Sequence, residues 1–268
     1  MSDLMNRPAV AVLALALSAA ALSGCSSSKK SPAAGSGTTS SASTVSGTIT
    51  VFAASSLTKA FGTLAKQFEA AHPGTTVKLD FDASSALATQ ITQGAPADVF
   101  ASASPKNMAS VVSAGYATTS TNFAKNVMEV AVPPSNPANV TSVNDLAKSG
   151  VKVALCQPQV PCGSTAEKVF ANAKITVKPV TLEANVAATL AKVELDEVDA
   201  GMVYVTDVLG AGSKVKGVTI PDSINASTEY PIAALSKATN SAGAAAFVSY
   251  VLSPAGTAVL TADGFEQP

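Results

Sequence analysis

From Thr48 onward the sequence keeps changing its hydrophobic period, and that restricts the fold more than any other feature. Thr48 to Phe52 is an apolar run of strand length; Leu57, Phe61, Leu64 and Phe68 then recur at helical spacing until Pro73-Gly74 stops them. Val77, Leu79 and Phe81 alternate as a half-buried strand, and Leu87 and Ile91 mark a short helix. Asp98 to Ser102 reads as a strand, and Met108, Val111 and Val112 give a helix face. After a strand from Val127 to Val132 and a proline-rich break, the alternation restarts. A helix near Val143 to Lys148, a strand from Val151 to Leu155 and helices at Ser164 to Ala173 and Val186 to Leu195 follow, then a strand from Gly201 to Val205. Strand-like Val218 to Ile220 and Tyr230 to Leu235 precede terminal helices carrying Phe247, Val251 and Leu260. Strands taking turns with helices indicate parallel βαβ units. Two such units of about a hundred residues each predict a bilobed α/β protein.

Ligands of α/β sheets bind beyond the carboxyl ends of the strands, where the turns into the helices gather. Four of those turns share a chemistry. Val51-Phe52-Ala53-Ala54 runs into Ser55-Ser56, and Ala83-Ser84-Ser85 again joins a strand to a helix. Pro161-Cys162-Gly163-Ser164 opens a third helix, where Ser164 and Glu167 have the spacing of a capping box, and Ala184-Asn185-Val186 opens a fourth. Each presents hydroxyls or backbone N–H groups, and any one alone is equally a helix cap. Placed on two α/β units, they can converge on an oxyanion and hold it without a counter-ion.

The composition excludes other classes. A net charge of −1 with 13% charged residues lacks the basic footprint of a nucleic-acid binder. The one His, His72, lies in the helix-ending turn Ala71-His72-Pro73-Gly74 and reads as a solvated turn residue, which leaves little for metal sites or Ser–His–Asp chemistry. At the N-terminus Arg7 precedes the apolar run Ala9 to Leu22, too short for a confident membrane span, and Leu22-Ser23-Gly24-Cys25 follows. That tetrad resembles the lipobox of bacterial lipoproteins. The resemblance implies a signal peptide at 1–25 and acyl chains on Cys25; an ordinary secretory signal is the alternative. Residues 26–46, nearly all Ser, Thr, Ala, Gly and Lys, read as a flexible tether.

Val51 to Leu57 and Gly94-Ala95-Pro96-Ala97-Asp98-Val99-Phe100 look like signatures of the molybdate-binding proteins of ABC importers. Gln159-Val160-Pro161-Cys162-Gly163, Met202-Val203-Tyr204-Val205-Thr206-Asp207, Glu229-Tyr230-Pro231-Ile232 and Ala262-Asp263-Gly264-Phe265 extend the resemblance, in order, over essentially Thr48 to the C-terminus. It implies a type II-like periplasmic-binding-protein fold with lobes 47–126 plus 231–268 and 127–230, joined by two crossing hinge strands. It also implies a tetrahedral oxyanion, molybdate or tungstate, held by neutral donors only. Those donors are the hydroxyls and N–H groups of Ser56 and Ser84, the N–H groups of Cys162 and Val186, and the Tyr204 phenol. No cofactor, no catalytic chemistry, a membrane permease as partner and a monomer anchored by Cys25 on the extracytoplasmic face complete the expectation. Sulfate is the alternative ligand.

Molybdate is fully ionised at neutral pH and needs donors alone, whereas phosphate keeps a proton that needs an acceptor. Asp82, beside the second serine turn, is the departure that bears on this point: strand alternation sets it opposite Phe81, toward solvent, whereas facing the site it would repel a dianion and could accept the proton of hydrogen phosphate. Ala187 stands where relatives often carry Arg. Cys156 and Cys162, six positions apart across a proline-containing turn in an exported chain, suggest a disulfide; two buried free thiols are the alternative, and no other Cys or His is near enough for zinc. Ser56-Leu57-Thr58-Lys59 also matches the S-x-x-K of penicillin-recognising enzymes, with Ser142-Val143-Asn144 and Lys148-Ser149-Gly150 as imitations of their other motifs. The last two lie too close together to form opposite walls of a cleft.

Overall fold

Strand β1 (Gly47–Ala54) leads through a single 3-10 turn at Ser55–Leu57 into helix α1 (Thr58–Ala71), and this first unit sets the pattern of the chain. The computed structural model describes residues 45–268, which fall in one compact unit. The signal segment, Cys25 and the tether up to residue 44 lie outside the described residues. Helix α1 forms where the periodicity places it, because Leu57, Phe61, Leu64 and Phe68 share one face and are fully buried. It ends at His72, and Gly74 takes φ +88° to turn the chain into β2 (Thr75–Asp82). His72 is not simply solvated: its ring stacks on Phe68 at 4.1 Å and its Nδ1 lies 2.9 Å from the Phe68 carbonyl.

Helix α2 (Ser84–Thr92), β3 (Val99–Ala101) and α3 (Pro105–Ser113) complete the first group. β1 pairs in parallel with both β2 and β3. Asp98, in the Gly94–Phe100 motif, has a structural part in this group. Its carboxylate accepts from the backbone N–H of Thr50 (2.7 Å) and Asn240 (3.0 Å) and from the Thr239 hydroxyl (3.0 Å). Burial raises its pKa, but those hydrogen bonds outweigh it and hold the group below the usual carboxylate value.

A second parallel group contains β5 (Val153–Cys156), α4 (Pro161–Ala173), β6 (Thr181–Glu183), α5 (Val186–Glu194) and β7 (Ala200–Tyr204), with β5 flanked by β6 and β7. Helix α6 (Val205–Ala211), β8 (Lys216–Val218), α7 (Ser241–Val251) and α8 (Pro254–Ala262) fill out the rest, and a 3-10 turn at Val143–Ala147 replaces the helix expected there. Short β6 and α6 carry too few residues for a periodic signal, and the sequence pattern shows neither.

Two strands cross between the groups, and both are antiparallel to their neighbours. β4 (Thr121–Val132) is 12 residues long, twice its apolar half. Its first part, Thr121 to Val127, pairs with β9 (Ser227–Ala234); Met128 to Val132 pairs with β7 and β8. β9 in turn pairs with β3 through Ile232 to Ala234. The resulting path is β2-β1-β3-β9-β4-β7-β5-β6. Purely parallel βαβ units therefore account for each group but not for their junction.

Each group buries its own core. Around β1 the aromatic rings of Phe61, Phe68, Phe123 and Phe247 meet with centroids 5.3–6.1 Å apart. Around β5 and β7 the core is aliphatic, built from residues such as Val130, Val153, Val169 and Met202. From the β1 side Ala83 is buried in this second core, with Ala86 packed against it.

Candidate functional site

Ala83 reaches across because the turn after β2 meets the turns after β5 and β6. A small cavity lies at that meeting. Ser55, Ser56, Ala83 and Ser84 line it from the first group, and Pro161, Cys162, Val186 and Tyr204 from the second. All five candidate ligand residues, Ser56, Ser84, Cys162, Val186 and Tyr204, are on its wall. The cavity volume is about 10 Å³, on the measure by which a single water needs about 10–15 Å³.

Local helix geometry explains why these turns face inward with free donors. Ser84 is the first residue of α2, Val186 the first of α5 and Cys162 the second of α4. Backbone N–H groups in a first helical turn have no acceptor four residues back, and the positive ends of three helix dipoles are aimed at the same small volume. Helix α4 starts at Pro161, whose fixed φ suits a first helical position. Ser164 is consequently inside the helix, its hydroxyl donating to the Pro161 carbonyl (3.0 Å), and the capping box expected with Glu167 does not form.

The hydroxyls are also poised to donate. Ser84 is fully buried, and its Oγ accepts the Ala103 N–H at 2.8 Å, which leaves its proton for another acceptor. The Tyr204 hydroxyl is buried with no hydrogen-bond partner among the described residues. Its polar neighbour, the Thr165 hydroxyl, is committed to the Pro161 carbonyl (2.8 Å). Burial first, and then the nearby Tyr230 and Asp207, push the Tyr204 pKa well above its ordinary value, so the phenol stays a donor. An orphaned buried hydroxyl costs free energy unless something accepts from it.

Cys156 and Cys162 are joined by a disulfide with Cα atoms 5.8 Å apart. The loop it closes packs tightly on the first turn of α4: a Cβ on Gly163 would stand 2.1 Å from the Gln157 carbonyl oxygen. The Cys162 N–H is thereby held from two sides.

Asp82 is not directed to solvent; it lines the cavity. It is the last residue of β2, where the strand gives way to the turn and period-two alternation no longer fixes direction. Its Oδ1 accepts from its neighbour Ala83 (2.7 Å) and from the Asn185 side-chain amide across the cavity (3.0 Å). Asn185 is simultaneously the cap of α5, its Oδ1 accepting the Ala188 N–H at 3.0 Å. Asp207, below Tyr204, accepts the Tyr204 N–H at 2.9 Å. Burial raises its pKa to about 7 against that hydrogen bond, so at neutral pH it carries only part of a charge.

Two residues escaped the sequence reading. Tyr230, recognised only as part of a motif, is fully buried, and its hydroxyl lies 2.8 Å from Ser56 Oγ. Asn126, on β4, donates to Thr206 Oγ1 (2.7 Å) and reaches the Tyr230 hydroxyl at 3.4 Å. Partners this distant along the chain leave no local signal. The Lys59 ammonium, meanwhile, pairs with Asp263 at 2.7 Å. Among the described residues no group of three His, Cys, Asp or Glu side chains is placed to hold a metal ion.

Comparison with known proteins agrees in scale and architecture. The family described as bacterial extracellular solute-binding proteins matches residues 49–266. The molybdate-binding protein ModA of Mycobacterium bovis is 43% identical over 221 residues, covering 82% of this chain and 85% of its own. Among solved structures, the periplasmic molybdate-binding protein of Azotobacter vinelandii superposes with TM-score 0.74 at 21% identity, covering 82% of this chain and 99% of its own. The sulfate-binding protein SubI of Mycobacterium tuberculosis gives TM-score 0.71 at 18% identity, with 82% and 86% covered. At those identities the two structures speak for the shared fold alone.

Proposed function

The chain belongs to the family of bacterial extracellular solute-binding proteins, and from that premise we propose that it captures molybdate, with tungstate as the nearest substitute, and delivers it to the permease of an ABC importer. The observation that carries this reading is a cavity lined by hydroxyls and by the N–H groups of helix starts, with no lysine or arginine, with Asp82 as its one carboxylate and with one buried phenol that has no partner among the described residues. In this reading Ser56, Ser84, Cys162, Val186 and Tyr204 hold the oxyanion, and the donors come from both sides of the cavity. The relatives named for molybdate support the choice of anion.

Charge-assisted hydrogen bonds from converging N–H and O–H groups supply the attraction that a counter-ion otherwise supplies. They also sort anions by protonation. Hydrogen phosphate brings a proton that needs an acceptor, and the one carboxylate on this wall, Asp82, is tied through Oδ1 to Ala83 and Asn185 of the wall itself. A fully ionised tetraoxyanion needs donors alone, and every other polar side chain on the wall can donate.

The two strand groups act as lobes, 47–126 plus 231–268 against 127–230, hinging where β4 and β9 cross. Cys25 anchors the mature chain to the membrane face by its acyl chains, with 26–46 as tether. The chain catalyses no reaction. An S-x-x-K nucleophile needs its lysine beside the serine, whereas Lys59 is engaged by Asp263 and Ser56 by Tyr230.

A thermal-shift series tests the assignment. A ligand that binds only the native state adds about 2.7 kcal/mol at a hundred times its dissociation constant. Molybdate and tungstate are expected to raise Tm, sulfate less and phosphate not at all. A clear shift with sulfate or phosphate beside none with molybdate overturns it.

A further inference from the structure

Ser56 can offer the cavity either a proton or a lone pair, and nothing in its own turn decides which. The decision lies two hydrogen bonds away. Asn126 Oδ1 accepts the Val127 backbone N–H at 3.1 Å. A backbone N–H only donates, so the orientation of that amide is fixed, with its NH₂ group facing Thr206 and Tyr230. The Tyr230 oxygen therefore meets a donor at 3.4 Å on one side and Ser56 Oγ at 2.8 Å on the other. With its lone pair facing the amide, the phenol directs its own proton to Ser56. Ser56 Oγ, accepting that proton, has its own left for the cavity.

We infer that Asn126 and Tyr230 form a donor relay that fixes Ser56 as a proton donor toward the bound anion, making Tyr230 a positioning and specificity-determining residue that does not itself touch the ligand. This deepens the oxyanion reading and rests on it. The surroundings hold the relay in one state. Tyr230 is fully buried, its ring is packed edge-on against Phe123, Tyr204 and Phe265 at 5.3–6.3 Å, and Asn126 is buried between β4 and the start of α6. Burial raises the Tyr230 pKa above its ordinary value, so the proton the relay passes on is present at every physiological pH.

The relay also joins the anion to the crossing strands. Asn126 lies on β4 and Tyr230 on β9, at the point where both pass from one strand group to the other. A bend there disturbs the 3.4 Å and 2.8 Å contacts and releases the Ser56 proton from its inward direction.

The test is a double-mutant cycle on the full chain with Tyr230→Phe, Ser56→Ala and the double variant, titrated calorimetrically with molybdate, sulfate and phosphate. Tyr230→Phe keeps the ring and its packing. It is expected to weaken the wild-type affinity for molybdate about tenfold, the value of roughly one directed hydrogen bond, and to change it less than about twofold when Ser56 is already Ala. The freed Ser56 hydroxyl then presents either end, so the preference for molybdate over phosphate falls by a similar factor. A structural role alone weakens binding equally in both backgrounds and leaves the preference untouched; that result overturns the relay, as does no effect at all. A wild type that binds neither molybdate nor sulfate defeats the functional reading and the relay together, whereas tight wild-type binding with an additive cycle defeats the relay only.

Discussion

Replacing Cys156 and Cys162 together by Ala separates what the disulfide does for the fold from what it does for the ligand. The bridge spans a sequence separation of 6, and chain entropy for so short a loop gives about 2 kcal/mol of stabilisation. For a folded region of this size about 2 kcal/mol corresponds to a fall in Tm of about 4–8 °C. The local consequence is of similar size to the global one. The loop carries Gln157, whose carbonyl abuts Gly163, and it ends on Cys162, which lines the cavity and whose N–H is a proposed donor to the anion. Freeing one residue's backbone costs about 1–2 kcal/mol to re-order when the ligand arrives, which predicts a further five- to thirtyfold loss of molybdate affinity. Differential scanning calorimetry gives the first quantity and isothermal titration the second. A variant with lowered Tm and undiminished affinity refutes the coupling between bridge and donor; one with both unchanged refutes the whole account.

Gly163→Ala drives a methyl group into the Gln157 carbonyl and is expected to lower stability by about 1–3 kcal/mol in urea unfolding, an overpacking cost at a site where backbone must move. Asn185→Ala leaves the Asp82 carboxylate on the cavity wall without its partner from across the cavity, so molybdate should dissociate at least about tenfold faster in stopped-flow measurements, and faster than from Asp82→Ala; the reverse order excludes a latch between the two. Asp207 gives a pH signature. Its folded pKa, about 7, lies above the unfolded carboxylate value, so the folded state holds the extra proton. Its contribution makes the protein less stable as pH rises from about 4 toward 7. Asp207→Asn should abolish that part of the slope when Tm is followed against pH, and an unaltered slope contradicts the buried-carboxyl reading.

The elements with long periodic faces are legible in the sequence: α1 follows from Leu57, Phe61, Leu64 and Phe68, and the turns after β1, β2 and β5 follow from where those patterns break. The donor residues are reached by resemblance, and the structure brings all five to one cavity. What escapes is decided at long range or at element ends. Ser164 has the spacing of a cap, but Pro161 starts the helix three residues earlier. Asp82 obeys alternation only inside a strand, and its position is set by Asn185, 103 positions later. The polar first half of β4 is a strand because β9 is there to pair with it, not because Thr121 to Asn126 favour one. Asp98, conspicuous in its motif, holds β1 to the start of α7 and has no place on the cavity wall.

The small cavity has a further consequence for selectivity. With about 10 Å³ available, about the room of one water, an anion held by these donors exchanges most of its hydration shell for them. The work of stripping it grows as the ion's radius shrinks, by the Born relation. Of two dianions carrying the same charge, the larger gives up its water more cheaply. The donors stay the same for both, so hydration favours the bulkier, more diffuse oxyanion over sulfate.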